Sequence, residues 1–245
     1  MEPLEIVIPS MDRAGSVITH NYIEGCIIVV PESQEYAYRK AHPELEVVTH
    51  PDSVKGLPPK LEWIRRYFSS NLFFVDDDCK GIYRLWDFKN TRLTPTEARD
   101  LIIATAHTAR AAGCYLFGFN KNPRPETYNF FQPIQMSGYV LGGATGLLTG
   151  SKLYWNTDMK ILGDYWISLL NAYYHRKAFI DNRFCFQFKD TFTSSGGLAS
   201  IRNKERIKEH VELLRKCFGD AIKEKEKKGF HTPRHEYEIN LNLPF

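Results

Sequence analysis

Four short apolar runs set the rhythm of the first eighty residues: Leu4–Ile8, Cys26–Val30, Leu45–Thr49 and Leu72–Val75. They are rich in β-branched or aromatic side chains and are closed by Pro9, by Pro31, by His50-Pro51 and by three aspartates. Runs that are apolar on both faces suit strands covered on both sides, as in a parallel sheet. Between them the pattern predicts a helix over Ser33–Ala41. A second helix starts at Pro58-Pro59 and runs through Leu61, Ile64 and Tyr67 or Phe68. Prolines are tolerated in a first helical turn, where the missing N–H costs nothing. This alternation predicts a right-handed, doubly wound α/β half.

The pattern changes after residue 90. Thr94-Pro95-Thr96-Glu97 spells a capping box, opening a helix through Leu101, Ala104, Thr105 and Thr108 that stops before Gly113. Tyr115–Phe119 reads as a strand, and residues 120–133 as a loop rich in asparagine and proline. Ser137–Gly150 carries five glycines, which predicts a close backbone approach. A helix is expected over Gly163–Tyr174, with Trp166, Leu169, Leu170 and Tyr173 on one face, and a strand over Phe184–Phe188. Ile207, Val211, Leu214, Phe218 and Ile222 recur at spacings of four, three, four and four, predicting a long amphipathic helix from about Asn203 to Lys228. Within it, His210 reads as a surface residue. The alternating tail Tyr237–Leu243 suggests an edge strand. There is no internal repeat, low-complexity tract or linker, so one domain over 1–245 is expected. Its parts are a nucleotide-binding half (1–80), an acceptor half (81–200) and a C-terminal basic helix and tail (201–245).

Composition narrows the class. With 43% hydrophobic and 25% charged residues among 245, the chain is ordinary globular material, neither disordered nor fibrous. No apolar run approaches the roughly 20 residues of a membrane helix, and no signal peptide is expected. Cys26, Cys79, Cys114, Cys185 and Cys217 are odd in number and scattered, which argues for a reducing compartment and against a disulfide frame or zinc knuckle. A cytoplasmic chain of enzyme size is expected. The formal charge of +3 names no partner by itself.

Leu72–Lys80, LFFVDDDCK, carries the strongest chemistry. Ligands of an open α/β sheet bind outside the carboxyl ends of its strands, which is where Asp76, Asp77 and Asp78 fall. Strand alternation predicts Asp76 and Asp78 on one side and Asp77 on the other. Clustered carboxylates need solvent or a cation, and Mg²⁺ or Mn²⁺ takes such oxygens while bridging to substrate phosphates. A solvated acidic turn is the competing reading.

A strand ending in D-x-D, fourth in a half that opens with an IVIPS-type strand, resembles the GT-A glycosyltransferase fold: one α/β domain with a Rossmann-like, mostly parallel central sheet flanked by helices. The resemblance implies that the nucleotide of a UDP-sugar donor contacts Pro9, Ser10 and Arg13. It assigns ribose and donor contacts to Asp76 and Asp77, and the metal to Asp76 and Asp78. Lys60 would either neutralise diphosphate charge or be a surface lysine. The family's acceptor strand and following acidic helix start correspond to Gly142-Gly143-Ala144-Thr145-Gly146 and to Gly163-Asp164-Tyr165-Trp166. Gly163 replaces the first acid of the usual pair. Asp164 is thereby implied as general base of an inverting transfer, with an N-cap or helix-dipole carboxylate as its other reading. Asp158 is the reserve. A late histidine, His231 or His235, is a further metal-ligand candidate, and Ser195, Gly196 and Gly197 form a candidate phosphate- or acceptor-facing loop.

The opening IVIPSMDRAG, the VDDD string, the GDYWISLLN helix start and the TSSGGLASIRN segment together resemble the TET-associated glycosyltransferases, compact GT-A enzymes of phage DNA-hypermodification systems. The resemblance implies a hydroxymethylated pyrimidine in DNA, typically 5-hydroxymethylcytosine, as acceptor. It also implies a phage-encoded enzyme acting in the bacterial cytoplasm. Charge is compatible with DNA: between Arg202 and Arg234 eleven basic residues face six acids, a net +5. Such a segment rests on phosphates or is a solvated face with Glu–Lys pairing. Arg124 among Tyr128, Phe130 and Phe131 is either a stacking site near a displaced base or part of an aromatic core. Rival readings keep the site and change the acceptor to a glycan or protein, or change the reaction to nucleotidyl transfer.

Overall fold

The computed structural model describes residues 2–189, 203–224 and 239–242. The four expected strands form as β1 (Leu4–Pro9), β2 (Cys26–Pro31), β3 (Glu46–His50) and β4 (Asn71–Val75). They pair in parallel in the order β3-β2-β1-β4, with α1 (Glu35–Ala41) and α2 (Leu57–Phe68) on the connections. Beyond β4 the sheet continues through β8 (Ala144–Leu147), β6 (Leu116–Asn120), β9 (Phe179–Phe188) and β5 (Cys79–Arg84), while the short β7 (Ile134–Gln135) pairs with β9. β8 is antiparallel to both β4 and β6, which restores the original direction in β6 and β9. Six of the nine strands therefore run one way, and β5, β7 and β8 run against them.

Alternation along the strands splits the core into two layers. Ile6, Ile8, Phe73 and Val75 face one side, where they meet Tyr38 of α1 and Ala98, Ile102 and Ala106 of α3 (Pro95–Ala111). Val7, Leu72 and Phe74 face the other, against Leu61 and Ile64 of α2, Trp166 and Leu170 of α4 (Gly163–His175), and Val211 and Leu214 of α5 (Lys204–Phe218). Burying a side chain of this size is worth about 1.5–3 kcal/mol, so each strand is held from both faces. The Thr94 capping box forms as expected, with Pro95 in the first turn. At Gly146 a Cβ would stand 2.0 Å from Cε1 of Phe117, so β8 passes the phenylalanine only because this position lacks a side chain.

Three expectations change. α5 stops at Phe218, because Gly219 takes φ +53 and turns the chain into β10 (Ile222–Glu224). The tail strand, β11 (Ile239–Leu241), pairs with β10 in a separate two-stranded sheet and does not edge the main one. His210 is buried, at 3% exposure. It lies three residues after Ile207 and four before Leu214, on the apolar stripe of α5. Among the described residues no helix is long and apolar enough to cross a membrane.

Candidate active site

The carboxyl ends of β1 and β4 lie side by side, and the segments that follow them interlock. Ser10 is buried, and its hydroxyl donates to Oδ2 of Asp77 at 2.5 Å and shares a 2.8 Å hydrogen bond with the Tyr38 hydroxyl. Arg13 places Nη1 2.7 Å from Asp77 Oδ1 and Nη2 3.7 Å from Asp78 Oδ2. Lys60, in the first turn of α2, is 5% exposed and donates from Nζ to the Ser10 carbonyl at 2.7 Å. The surface-lysine reading of Lys60 is thereby excluded. Burial pushes its ammonium down to about 8, with Asp77 and Asp12 pulling the other way. Burial also raises the Asp77 carboxyl, against Ser10, Arg13 and Lys60. Asp78 is raised by burial and by Asp77, with Arg13 opposing.

The alternation expected for the three aspartates does not hold. β4 ends at Val75 and residues 77–78 form a turn, so the two-residue period stops where the acids begin. Asp77 and Asp78 both reach Arg13, while Asp76 is set by its backbone. The Asp76 N–H donates to Gly143 O at 3.1 Å, and its carbonyl accepts from the Thr19 hydroxyl at 2.6 Å. The same Thr19 oxygen accepts from the Cys79 N–H at 3.0 Å, spanning the acidic turn.

Gly142 and Gly143 bring the second group of candidates to the first. A Cβ on Gly143 would lie 3.0 Å from Asp76 Oδ2, and one on Gly142 would lie 2.9 Å from Asp164 Cβ. Two consecutive residues without side chains thus pack against the two acids assigned different roles. Asp164 is the second residue of α4, where the helix dipole favours a carboxylate. It is not the N-cap: that position is Leu162, at φ +61 and without a side-chain cap. Oδ2 of Asp164 accepts from the Tyr139 hydroxyl, and Oδ1 accepts from the Tyr165 N–H at 3.0 Å. Sequence reasoning missed Tyr139; its only signal was a hydroxyl-bearing aromatic inside the glycine-rich stretch. Asp158 is exposed in a turn and receives no such support among the described residues.

The aspartates offer hard carboxylate oxygens at a sheet edge, a donor set that fits Mn²⁺ or Mg²⁺. Arg13 meets the charge of Asp77 and Asp78 in this structure. Among the described residues the one cluster of three potential ligand groups lies elsewhere, at His20, His42 and Glu44. There His20 Nε2 is 3.8 Å from Glu44 Oε1, and His42 Nε2 donates to Ala14 O at 2.8 Å. Burial lowers the His20 pKa, with His42 adding to the effect and Glu44 opposing it. His210 is not exposed, while His231, His235, Ser195, Gly196 and Gly197 lie outside the described residues. Phe130 and Phe131 are 51% and 99% exposed, which excludes the aromatic-core reading for both. On α5, Lys208 and Glu212 form an i,i+4 pair at 4.0 Å, as a solvated face would.

The sheet edge carries acids on two sides of a glycine step, and the family comparison supplies the class, that of the glycosyltransferases. The chain belongs to the TET-Associated Glycosyltransferase family, whose profile matches residues 4–197. No curated protein matches it. Among solved structures it is similar to TarS of S. aureus at 11% identity and a TM-score of 0.44, covering 89% of this chain. The chain spans 44% of the length of TarS. It is also similar to a CMP:2-keto-3-deoxy-manno-octonic acid synthetase solved with CTP, at 10% identity and a TM-score of 0.36, covering 85% of this chain and 99% of that one.

Proposed function

We propose that this glycosyltransferase moves a sugar from a UDP-sugar to the hydroxyl of a hydroxymethylated pyrimidine, 5-hydroxymethylcytosine, in DNA. The observation that carries the reading is the Gly142–Gly143 step, which packs against Asp164 on one residue and Asp76 on the next. Asp164 takes the proton of the acceptor hydroxyl as its oxygen attacks the anomeric carbon, and the nucleoside diphosphate leaves with the electron pair of the broken bond. Hydrogen bonds from the Tyr139 hydroxyl and the Tyr165 N–H hold the carboxylate in place for this step. On the donor side, Pro9, Ser10, Arg13 and Lys60 form the nucleotide cradle together with Asp76 and Asp77. Asp76 and Asp78 would hold Mn²⁺ or Mg²⁺, which when bound stabilises charge on the leaving diphosphate. Arg13 then exchanges part of its pairing with Asp78 for the donor.

The DNA acceptor rests on family membership and on the net +5 between Arg202 and Arg234. The test is incubation of the protein with a panel of nucleotide sugars and DNA containing 5-hydroxymethylcytosine, read by mass spectrometry of the released nucleosides. A mass increase on the modified cytosine is expected with one donor. Donor hydrolysis without any transfer to DNA would assign the site another acceptor.

A further inference from the structure

A cavity of about 190 Å³ has Tyr139, the hydrogen-bond partner of Asp164, in its wall. That volume equals roughly six waters at about 30 Å³ each, room for one six-membered ring. The polar part of the lining is made largely by amide side chains, among them Asn129, Gln132, Gln135 and Asn182, and no carboxylate takes part. Three of these amides are held by the backbone around them. Asn129 Oδ1 accepts from the Phe131 N–H at 3.0 Å, Asn182 Nδ2 donates to Gln132 O at 3.1 Å, and Gln135 Nε2 donates to Ser137 O at 2.6 Å. Their orientations are therefore fixed. The ends left over are the amide nitrogen of Asn129, the amide oxygens of Asn182 and Gln135 and both ends of Gln132, and the engaged nitrogens of Asn182 and Gln135 each keep a second N–H.

A mixed set of amide donors and acceptors, with Lys121 as the one cation of the lining, suits a ligand that itself presents both kinds of group on one planar edge. Cytosine does so: its exocyclic amine donates, while N3 and O2 accept. Enzymes that act on a base within a duplex extrude it into such a pocket and read its Watson–Crick edge there. Between the lining residues Asn129 and Gln132 stand Phe130 and Phe131, exposed as solvent-facing aromatics seldom are. Aromatic faces of this kind stack on unpaired bases.

We propose that this cavity receives the acceptor pyrimidine turned out of duplex DNA, with Gln132 reading its Watson–Crick edge alongside Gln135 and Asn182, and Tyr139 lying between the base and Asp164. The inference rests on the DNA-acceptor reading and adds where the base lies and what identifies it. Gln132 is the residue to change, because it is exposed and its side chain forms no hydrogen bond among the described residues. The experiment measures kcat/KM on matched duplexes carrying 5-hydroxymethylcytosine or 5-hydroxymethyluracil, for the parent protein, Gln132→Ala and Gln135→Leu, with donor hydrolysis followed in parallel.

One lost edge contact is expected to move the cytosine-to-uracil ratio of kcat/KM about tenfold. The rise in KM for DNA should exceed any loss in donor hydrolysis. Because it is a ratio, this readout is blind to partial loss of folded protein. An unchanged ratio in both variants, with the parent protein modifying DNA, overturns the pocket assignment and leaves the acceptor reading standing. A fall in donor hydrolysis equal to the fall in transfer also overturns it, by assigning the cavity to the donor sugar. A parent protein that hydrolyses its donor and modifies neither duplex overturns the acceptor reading, and the pyrimidine assignment falls with it.

Discussion

The two sides of the proposed site are built on opposite principles. On the proposed donor side the charged Arg13, Lys60 and Asp77 and the Ser10 hydroxyl are buried or nearly so and paired with one another. On the proposed acceptor side the cavity wall is mostly neutral, with Lys121 as its one charged side chain, and is edged by a loop that shows Phe131 to solvent. A diphosphate and its cation are the same in every turnover, so a preorganised set of charges is an asset there. An acceptor must be admitted, read and released. Neutral amides serve that better, because discrimination arises from unpaired polar groups when the wrong ligand binds. The glycine step at 142–143 is where the two regimes meet.

That contrast can be broken most sharply on the charged side. Asp78→Ala should lower sugar transfer by about 10³-fold, the scale of removing one preorganised charge, with an unchanged circular dichroism spectrum. Ordinary turnover in this variant would remove Asp78 from the metal site. Asp164→Asn should cost transfer roughly 10²–10⁴-fold, the usual contribution of a general base, while isothermal titration still shows the donor binding. If transfer survives there, Asp158 is next. The glycines should separate the two sides. A Cβ at Gly142 presses on Asp164 and one at Gly143 on Asp76 and Phe188. Gly142→Ala should therefore depress kcat, and Gly143→Ala should raise the KM for the donor, each by up to about 10²-fold, as for an ångström of misplacement. Identical kinetic signatures would dissolve the division.

The smallest effect is a pH dependence. Lys60 has its pKa lowered to about 8, so its charge is present below that value and lost above it. An anionic donor prefers the charged form, so donor kcat/KM should decline by a few-fold above pH of about 8. The stability sign is opposite. An unfolded lysine holds its proton to about 10.4, so the unfolded state binds more protons between the two values and folding gains as pH rises through that window. A flat rate profile between pH 7 and 9.5 would separate Lys60 from the donor.

How much of this was legible follows from where local pattern outweighs tertiary context. The parallel strands and the capped α3 were readable because buried strands and capping boxes carry their own signals. β5, Cys79–Arg84, was missed because it follows three acids and mixes Lys80 and Arg84 with apolar residues. The first half of β9 was hidden by Asp181-Asn182-Arg183, whose polarity is satisfied internally: Arg183 Nη2 donates to Asp181 Oδ2 at 2.8 Å. The register of α5 was clear but not its end, since Ile222 continues the apolar spacing from a strand beyond Gly219. Asp76 and Asp164 could each be picked out singly. Their approach through Gly142 and Gly143 depends on β8 lying between β4 and β6, a crossing no local pattern specifies.

Glu62 has a consequence for how the chain comes apart. Its carboxylate is buried and accepts from Arg65 at 2.6 and 2.9 Å, from Arg66 at 2.7 Å and, across the fold, from the Trp155 N–H at 3.1 Å. Burial works to raise its pKa, and these partners outweigh it to leave the pKa lowered. One side chain of α2 is thereby shared by the first half of the sheet and by the segment leading into α4. Loosening either leaves a buried charge short of partners, which links the two energetically. Heating should melt the region carrying Asp76 and the region carrying Asp164 in one cooperative transition.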